Sequence, residues 1–192
     1  MFNPGKTLAL ISGCLSSPRA TWQSYLEENP GWQRTALELT VPMIVLAVLV
    51  GWILSLVFGT YLYYGYGRGA IAALIVGLAG AAISIVVVSF LISFLAGALG
   101  GQARFDRAFA GASLAMVPAW VGLAVSPIPF LGWLLQLVGS ITALVFLYKV
   151  IPLAVSVPEN KRVIHFVLLI VLAIVIQLVL GLMLGAGTSL PG

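Results

Sequence analysis

Between Gln102 and Arg162 the chain reads QARFDRAFAGASLAMVPAWVGLAVSPIPFLGWLLQLVGSITALVFLYKVIPLAVSVPENKR. The stretch has charged residues near both ends and two long apolar runs between them, joined at Ser126-Pro127-Ile128-Pro129. Each run is close to the ~20 residues that cross a bilayer as a helix, and the two prolines favour a tight turn. We therefore predict a membrane hairpin with both of its charged ends on one side of the bilayer.

The composition of the whole chain agrees with a membrane environment. Of the 192 residues, 61% are hydrophobic and only 7% are charged, and the mean hydropathy is +1.16. Soluble domains carry roughly 25% charged residues, so this chain must cover its apolar surface with lipid. The net charge of +4 is explained by basic residues placed in the loops on one side of the membrane. We therefore expect no nucleic-acid partner. A single cysteine excludes an internal disulfide and a cysteine-based metal cage.

The predicted fold class is all-α, a polytopic membrane protein with five transmembrane helices preceded by a short amphipathic interfacial helix. The predicted spans are 36–58, 70–99, 108–125, 130–152 and 163–185. They follow an N-terminal cytoplasmic or interfacial segment, 1–35, and precede a short outer tail, 186–192, so that the membrane domain is 36–185. The tyrosine-rich loop at 59–69 suits the aromatic belt at a membrane surface.

The N-terminal segment contains one clear helix signal. Ser17-Pro18 is a good helix start, because a hydroxyl precedes a proline at the first helical position. Trp22, Tyr25 and Leu26 then fall on one face, so we predict an amphipathic helix at the membrane surface with Trp22 and Trp32 at headgroup level. The alternative is a helix packed on the cytoplasmic end of the bundle.

A second interpretation of the N-terminus is a lipoprotein signal. Lys6, a short apolar run and Ile11-Ser12-Gly13-Cys14 resemble a signal sequence that ends at an acylated cysteine. Cleavage there would place the mature N-terminus outside the cell, together with Arg19 and Arg34. The distribution of basic residues argues against that orientation.

The basic residues predict the topology. With the N-terminus inside, eight of the nine Lys and Arg residues lie in inner segments, and Arg68 alone lies outside. Basic residues concentrate on the cytoplasmic side of membrane proteins. We therefore predict an integral protein of the cell inner membrane, with the N-terminus cytoplasmic and the C-terminus outside.

Small residues mark the expected helix-packing faces. The candidates are Gly77, Gly111, Gly181 and Gly185, each with another small residue four positions away. Such spacing lets helix backbones approach closely where lipid provides no hydrophobic drive for association. Most of these contacts should form within the bundle, and one could serve a homo-oligomer or a contact with another membrane protein.

The sequence offers no set of catalytic residues. We expect the spans to hold essentially no ionisable side chain, and the only histidine, His165, lies at the edge of a span. Paired intramembrane aspartates, a serine–histidine pair and three or four clustered metal ligands are all missing from the sequence. We therefore predict no enzyme activity, no catalytic residue, no metal and no cofactor.

Two glutamines are the most polar residues expected inside the bilayer. Gln136 and Gln177 belong to the fourth and fifth predicted spans, in their outer halves. They could bond to each other as structural polar contacts, or they could line a small polar cavity. The second possibility supports an alternative function, a small transporter or channel for a lipid or solute.

The inner face carries one dense group of charges. It consists of Arg104, Asp106, Arg107, Lys161 and Arg162. Such a group sets topology and attracts anionic lipid, at about 1 kcal/mol per basic residue near the surface. It could also bind a cytoplasmic partner or a specific lipid headgroup, so we treat these five residues as the candidate binding site.

The hairpin resembles a known family. The residues that carry the likeness are Arg104-Phe105-Asp106-Arg107-Ala108-Phe109, Met116-Val117-Pro118, Ser126-Pro127-Ile128-Pro129-Phe130-Leu131-Gly132 and Leu147-Tyr148-Lys149. They resemble the core of the Yip (Ypt/Rab-interacting protein) family, prokaryotic branch, and Leu15–Trp22 is similar to the N-terminal segment of that branch.

The resemblance implies a five-span membrane protein without enzymatic activity. Eukaryotic members bind prenylated Rab-type GTPases and each other, and they usually carry a longer polar N-terminal region than this chain has. A GTPase partner is therefore not expected here. The resulting hypothesis is a scaffold or adaptor that organises membrane partners or local lipid through its cytoplasmic face.

Overall fold

The computed structural model describes residues 3–58 and 70–186, with Ala70, Ala72, Ala73, Gln177 and residues 179–186 described by their backbone alone. These residues are helical almost throughout and contain no strand. The helices are α1 Pro4–Ser16, α2 Pro18–Glu27, α3 Trp32–Val57, α4 Ala70–Ala98, α5 Phe105–Val125, α6 Gly132–Val155 and α7 Arg162–Ala186. The predicted tyrosine-rich loop at 59–69 and the tail after residue 186 lie outside the described residues.

The all-α prediction is confirmed for the described chain. Four of its helices are long and apolar enough to cross a membrane: Trp32–Val57, Leu74–Ala98, Phe105–Val125 and Gly132–Val155. They match the first four predicted spans. Helix α7 has 25 residues and is strongly apolar. A fifth crossing by α7 stays a prediction.

Two residues of the charged run that opens the hairpin, Asp106 and Arg107, belong to a helix although the predicted span began at residue 108. Arg104 is the extended residue before α5, so Asp106 and Arg107 lie in the first helical turn. At the other end of the hairpin, α6 continues through Pro152 for three residues beyond the predicted end of the span. It stops at Val155, because Ser156 takes a left-handed conformation with φ 51°.

Helix α5 is the centre of the bundle, and its backbone lies very close to that of α6. A methyl group at Gly139 of α6 would lie 2.5 Å from the carbonyl oxygen of Pro118, and one at Gly122 would lie 2.9 Å from Cα of Gln136. Nearer the N-terminus of α5, Gly111 packs on Ala154. Since no side chain fits at these points, glycine permits the close approach of the two helices.

Glycine also marks the contact of α4 with α3. A methyl group at Gly77 would lie 3.2 Å from Cγ1 of Val48. Gly77 and Gly111 therefore both lie in contacts within one chain. The packing of Gly181 and Gly185 lies outside the described residues.

The first two helices pack on the bundle. Trp22, Tyr25 and Leu26 of α2 are almost completely buried, and the ring of Trp22 meets Phe146 of α6 edge-on, with centroids 4.9 Å apart. This arrangement is the alternative stated above, in which α2 packs on the bundle. A lipid-facing apolar side of α2 is not confirmed, because protein covers that side.

Helix α1 was not predicted from the sequence. It begins at Pro4, and the side chain of Asn3 accepts a hydrogen bond from the backbone N–H of Lys6. Cys14 lies near its end and is completely buried, and burial raises the pKa of its thiol to about 12. The lipoprotein interpretation needs this sulfur to be accessible, whereas the fold covers it.

Candidate functional site

Arg107 joins three helices at the end of the bundle where α1 and α2 pack. From the first turn of α5 its Nε donates to the carbonyl oxygen of Ala154 at 2.8 Å, and its Nη2 donates to that of Leu153 at 2.9 Å. Its Nη1 donates to Oδ1 of Asn29 at 2.6 Å and to the carbonyl oxygen of Leu26 at 3.4 Å. The guanidinium therefore connects α5 to the ends of both α6 and α2.

The end of α6 explains why a cation lies there. The last carbonyls of a helix have no partner within the helix and carry partial negative charge. Arg107 provides donors for two of these carbonyls, and the N–H of Gln102 donates to the third, that of Val155, at 2.8 Å. The loop before α5 and its first turn together complete the C-terminal cap of α6.

Asp106 makes the reciprocal contact with the start of α3. Its Oδ1 accepts a hydrogen bond from the backbone N–H of Trp32, the first residue of that helix, at 3.0 Å. A carboxylate is favoured at a helix N-terminus, where backbone N–H groups are free. Asp106 thus ties α5 to α3, and Arg107 ties α5 to α6 and α2.

The other three residues of the charged candidate site, Arg104, Lys161 and Arg162, lie at the same end. Arg104 is exposed. Nζ of Lys161 approaches Gly100 in the loop before α5, at 3.9 Å from the position of a Cβ atom there. Arg162 pairs with Glu159 at 3.2 Å. The structure therefore brings the two charged runs of the hairpin to one end of the bundle, with Arg107 and Asp106 engaged in contacts between helices.

Glu38 is a site residue that the sequence interpretation missed. It lies within the first candidate span, where no ionisable side chain was expected, so that expectation was wrong for α3. Its carboxylate pairs with Lys6 at 3.3 Å and with Nε of Arg34 at 3.0 Å, and it accepts a hydrogen bond from the hydroxyl of Tyr25 at 3.3 Å. The signal was available in the sequence: a glutamate two residues inside the predicted span at 36–58.

The helix around Glu38 is widened. Residues Ala36–Thr40 form a π-helical turn, in which each hydrogen bond spans five residues in place of four. The carbonyl oxygen of Glu38 accepts a hydrogen bond from Oγ1 of Thr7 at 2.7 Å. The widened turn therefore provides an attachment point for α1.

A buried pair of hydroxyls continues this polar region into the bundle. Oγ1 of Thr40, the last residue of the widened turn, lies 2.8 Å from Oγ of Ser113 on α5. Both side chains are buried. The hydrogen bond between them connects α3 to the central helix.

The ionisable groups around Glu38 balance one another. Lys6 and Arg34 face Glu28 and Glu38, which gives two cations and two carboxylates. Partial desolvation works against ionisation of Glu28, but hydrogen bonds from Lys6 and Arg34 outweigh it and lower the pKa of that carboxyl. Burial raises the pKa of the Tyr25 hydroxyl to about 12, which keeps it neutral. The arrangement is typical of a contact that fixes α1 and α2, and less so of a reactive site.

The predicted polar cavity stays a prediction. Gln136 is half-buried on α6, opposite Gly122. The side chain of Gln177 lies outside the described residues. Among the described residues, no group of three or more His, Cys, Asp or Glu side chains could hold a metal ion.

The chain matches one known protein family over most of its length. The family model of the Yip1 domain matches residues 12–181. The chain belongs to the Yip family. No curated protein and no solved structure matches it significantly. Yip-family membership and the four apolar helices together make this a membrane protein.

The extent of the match relates the family to the site. It begins within α1 and ends within α7, so it includes α2, the widened turn and the whole hairpin. Arg107 and its partners on α2 and α6 therefore all lie inside the matched Yip domain. The family is not known as enzymatic.

Proposed function

We propose that this Yip-family chain is a non-enzymatic scaffold or adaptor that organises membrane partners or local lipid through its cytoplasmic face. The proposal rests on the contacts that polar side chains make between helices at the end of the bundle where α1 and α2 pack. Arg107, Asp106, Tyr25 and Glu38 each bond to another helix or a neighbouring side chain of the same chain. They hold α1 and α2 in place against the ends of α3, α5 and α6. This arrangement supports a rigid structure at the membrane surface, which we call the platform.

The outer side of this platform offers a surface for a partner. Leu8 and Leu15 of α1 are 65% and 50% exposed and lie seven residues, or about two helical turns, apart on one face. Arg104 is also exposed at this end. Two exposed leucines on one helical face, at an end of the bundle that also exposes a cation, favour a protein partner over a purely aqueous surface. We propose another membrane protein or a second copy of the chain as that partner.

The proposal includes the topology derived from the basic residues. In it, the platform lies in the cytoplasm and the turn at 126–131 lies on the outer side of the inner membrane. The helical hairpin of α5 and α6 supports this arrangement, since its two charged ends lie together at the platform.

Photocrosslinking in native membranes tests the proposal. Probes replace Leu8, Leu15 and Arg104 one at a time, and a matched probe replaces Phe130, which is 91% exposed in the turn between α5 and α6. We expect discrete protein adducts from the three platform positions and none of the same size from Phe130. Lipid adducts alone at all four positions would contradict an adaptor function.

A further inference from the structure

A groove next to the Arg107 contacts lies between α2, the last turns of α6 and the start of α7. Leu153, whose carbonyl oxygen accepts from Arg107, also lines it. It encloses about 620 Å³. Its charged lining consists of Arg19, Lys149, Arg162 and Glu159, and its apolar lining includes Trp22 and Phe146. Three cations and one carboxylate give the groove a net charge of about +2. Neither Arg19 nor Lys149 had been singled out as a site residue from the sequence.

The cations of the groove have charges and hydrogen-bond donors available for a ligand. Among the described residues, Arg19 and Lys149 form no ion pair, and both are exposed. Arg162 pairs through Nη1 with Glu159, whose side chain is 85% exposed, and exposed pairs of this kind contribute little. Its Nε is buried without a hydrogen-bond partner. A buried donor without a partner is costly, so a ligand that accepts a hydrogen bond from Arg162 would be favoured.

The position of Lys149 along α6 indicates which kind of ligand the groove could bind. Lys149 precedes the last residue of α6 by six positions, which places its Cα about 9 Å inside the end of the helix. Lysines near the ends of membrane helices extend their ammonium groups to the level of the lipid headgroups. Lys149 can therefore place its ammonium group at the height of the phospholipid phosphates.

The surface below the groove is suited to an acyl chain. Val145 and Ile141 precede Lys149 by four and eight residues, so all three share one face of α6. Val145 is 45% exposed and Ile141 is 53% exposed. A basic groove that continues into an exposed apolar face matches a lipid better than a free phosphate ion.

We propose that this groove binds the phosphate headgroup of an anionic phospholipid in the leaflet next to α1 and α2. Arg19, Lys149 and Arg162 contact the phosphate, and the acyl chains run along the face of Val145 and Ile141. The site requires only that the chain resides in a membrane, so it does not depend on the adaptor function proposed above. A protein partner could be disproved while the lipid site stands, and the reverse also holds.

Native mass spectrometry of the full chain tests the site. The protein is reconstituted into vesicles of equimolar phosphatidylglycerol and phosphatidylcholine, extracted in mild detergent, and the retained lipids are measured. We expect the wild type to retain phosphatidylglycerol preferentially. The double variant Arg19→Gln/Lys149→Gln should retain roughly 10- to 30-fold less, as expected for removing two cations near the membrane surface.

Matched variants separate a specific site from general attraction. Arg104→Gln removes an exposed cation at the same end but outside the groove, so it measures the general attraction of the surface for anionic lipid and should lower retention less than the single groove variant Lys149→Gln. Glu159→Gln removes the competing carboxylate and should increase retention, a result that misfolding cannot produce. Equal retention by the wild type and the double variant, or an equal loss in Arg104→Gln, would overturn the proposal. So would displacement of the lipid by millimolar inorganic phosphate, since the groove would then bind the free ion.

Discussion

Nε of Arg107 donates to the carbonyl oxygen of Ala154 at 2.8 Å, which joins the first turn of α5 to the last turn of α6. The two residues lie at opposite ends of the hairpin sequence, 47 positions apart. The contact therefore closes the open end of the hairpin, and the additional bonds to Leu26 and Asn29 attach α2 to the same point. The side chain of Arg107 therefore holds three helices together.

Substitution of Arg107 should loosen this junction. Arg107→Lys keeps the charge, but a single ammonium cannot reach the carbonyls of α6 and the end of α2 in the same fork geometry. We expect a loss of about 2–4 kcal/mol in the free energy of unfolding, because partly buried carbonyls lose charged donors. Titration with dodecyl sulfate, followed by circular dichroism, measures the loss.

Arg104→Lys is the control for that experiment, since Arg104 is exposed and no side-chain hydrogen bond of its own is found among the described residues. It should unfold as the wild type does. Equal stability of Arg107→Lys and Arg104→Lys would show that the bonds of Arg107 contribute nothing to the fold.

The close approach of α5 and α6 gives a second prediction. Gly139→Ala would place a methyl group 2.5 Å from the carbonyl oxygen of Pro118, so the two helices must separate. Overpacking of this kind costs about 1–3 kcal/mol. The matched control is Gly80→Ala on α4, where a methyl group meets no atom within 4 Å. Thermal aggregation in detergent should begin at a lower temperature for Gly139→Ala only, and an equal onset for both variants would contradict the packing argument.

The hydroxyl pair between α3 and α5 gives a third prediction. Thr40→Val keeps the shape of the side chain but leaves Oγ of Ser113 without its partner 2.8 Å away. We expect a loss of about 1 kcal/mol in the free energy of unfolding, the scale of polar contacts between membrane helices. Thr40→Val combined with Ser113→Ala should cost less than the sum of the single changes. Strict additivity in this double-mutant cycle would mean that the two hydroxyls do not interact.

The hairpin could be predicted because its signals are local. An apolar run of sufficient length and the turn at 126–131 require only neighbouring residues, and the structure has α5 and α6 on either side of that turn. The first residue of α5 could not be predicted as well as the hairpin itself, for a physical reason. Asp106 and Arg107 look like loop residues by polarity, but their contacts with Trp32 and Ala154 allow them to lie inside a helix.

The platform could not be predicted in the same way, because its contacts join distant parts of the chain. Glu38 pairs with Lys6, 32 residues earlier, and without that partner its place in an apolar span has no evident reason. Tyr25 and Trp22 form an apolar face that suits lipid and protein equally well. Only the positions of Phe146 on α6 and of Glu38 on α3, which accepts from Tyr25, show that protein covers it.

The burial of Cys14 gives a fourth prediction. Burial raises the pKa of the thiol to about 12, so near neutral pH almost none of it is the reactive thiolate. We expect a maleimide to label the folded protein at least about a hundredfold more slowly than the variant Cys14→Ser/Ser16→Cys, whose new thiol is exposed on α1. The rates are measured by mass shift. Rapid labelling of Cys14 in the folded protein would contradict the packing of α1 on the bundle.

The proposed topology gives the last prediction, which uses cysteines at both ends of α6. In a Cys14→Ser background, Pro129→Cys and Asn160→Cys place exposed thiols before and after this helix of 24 residues. A helix of that length spans about 36 Å, so the two thiols should lie on opposite sides of the membrane. In intact cells an impermeant maleimide should label Pro129→Cys, and it should label Asn160→Cys only after the membrane is opened. A cysteine added after Gly192 tests the fifth crossing and should label from outside. Labelling of Asn160→Cys in intact cells would reverse the orientation, and protection of the added C-terminal cysteine would mean that α7 does not cross.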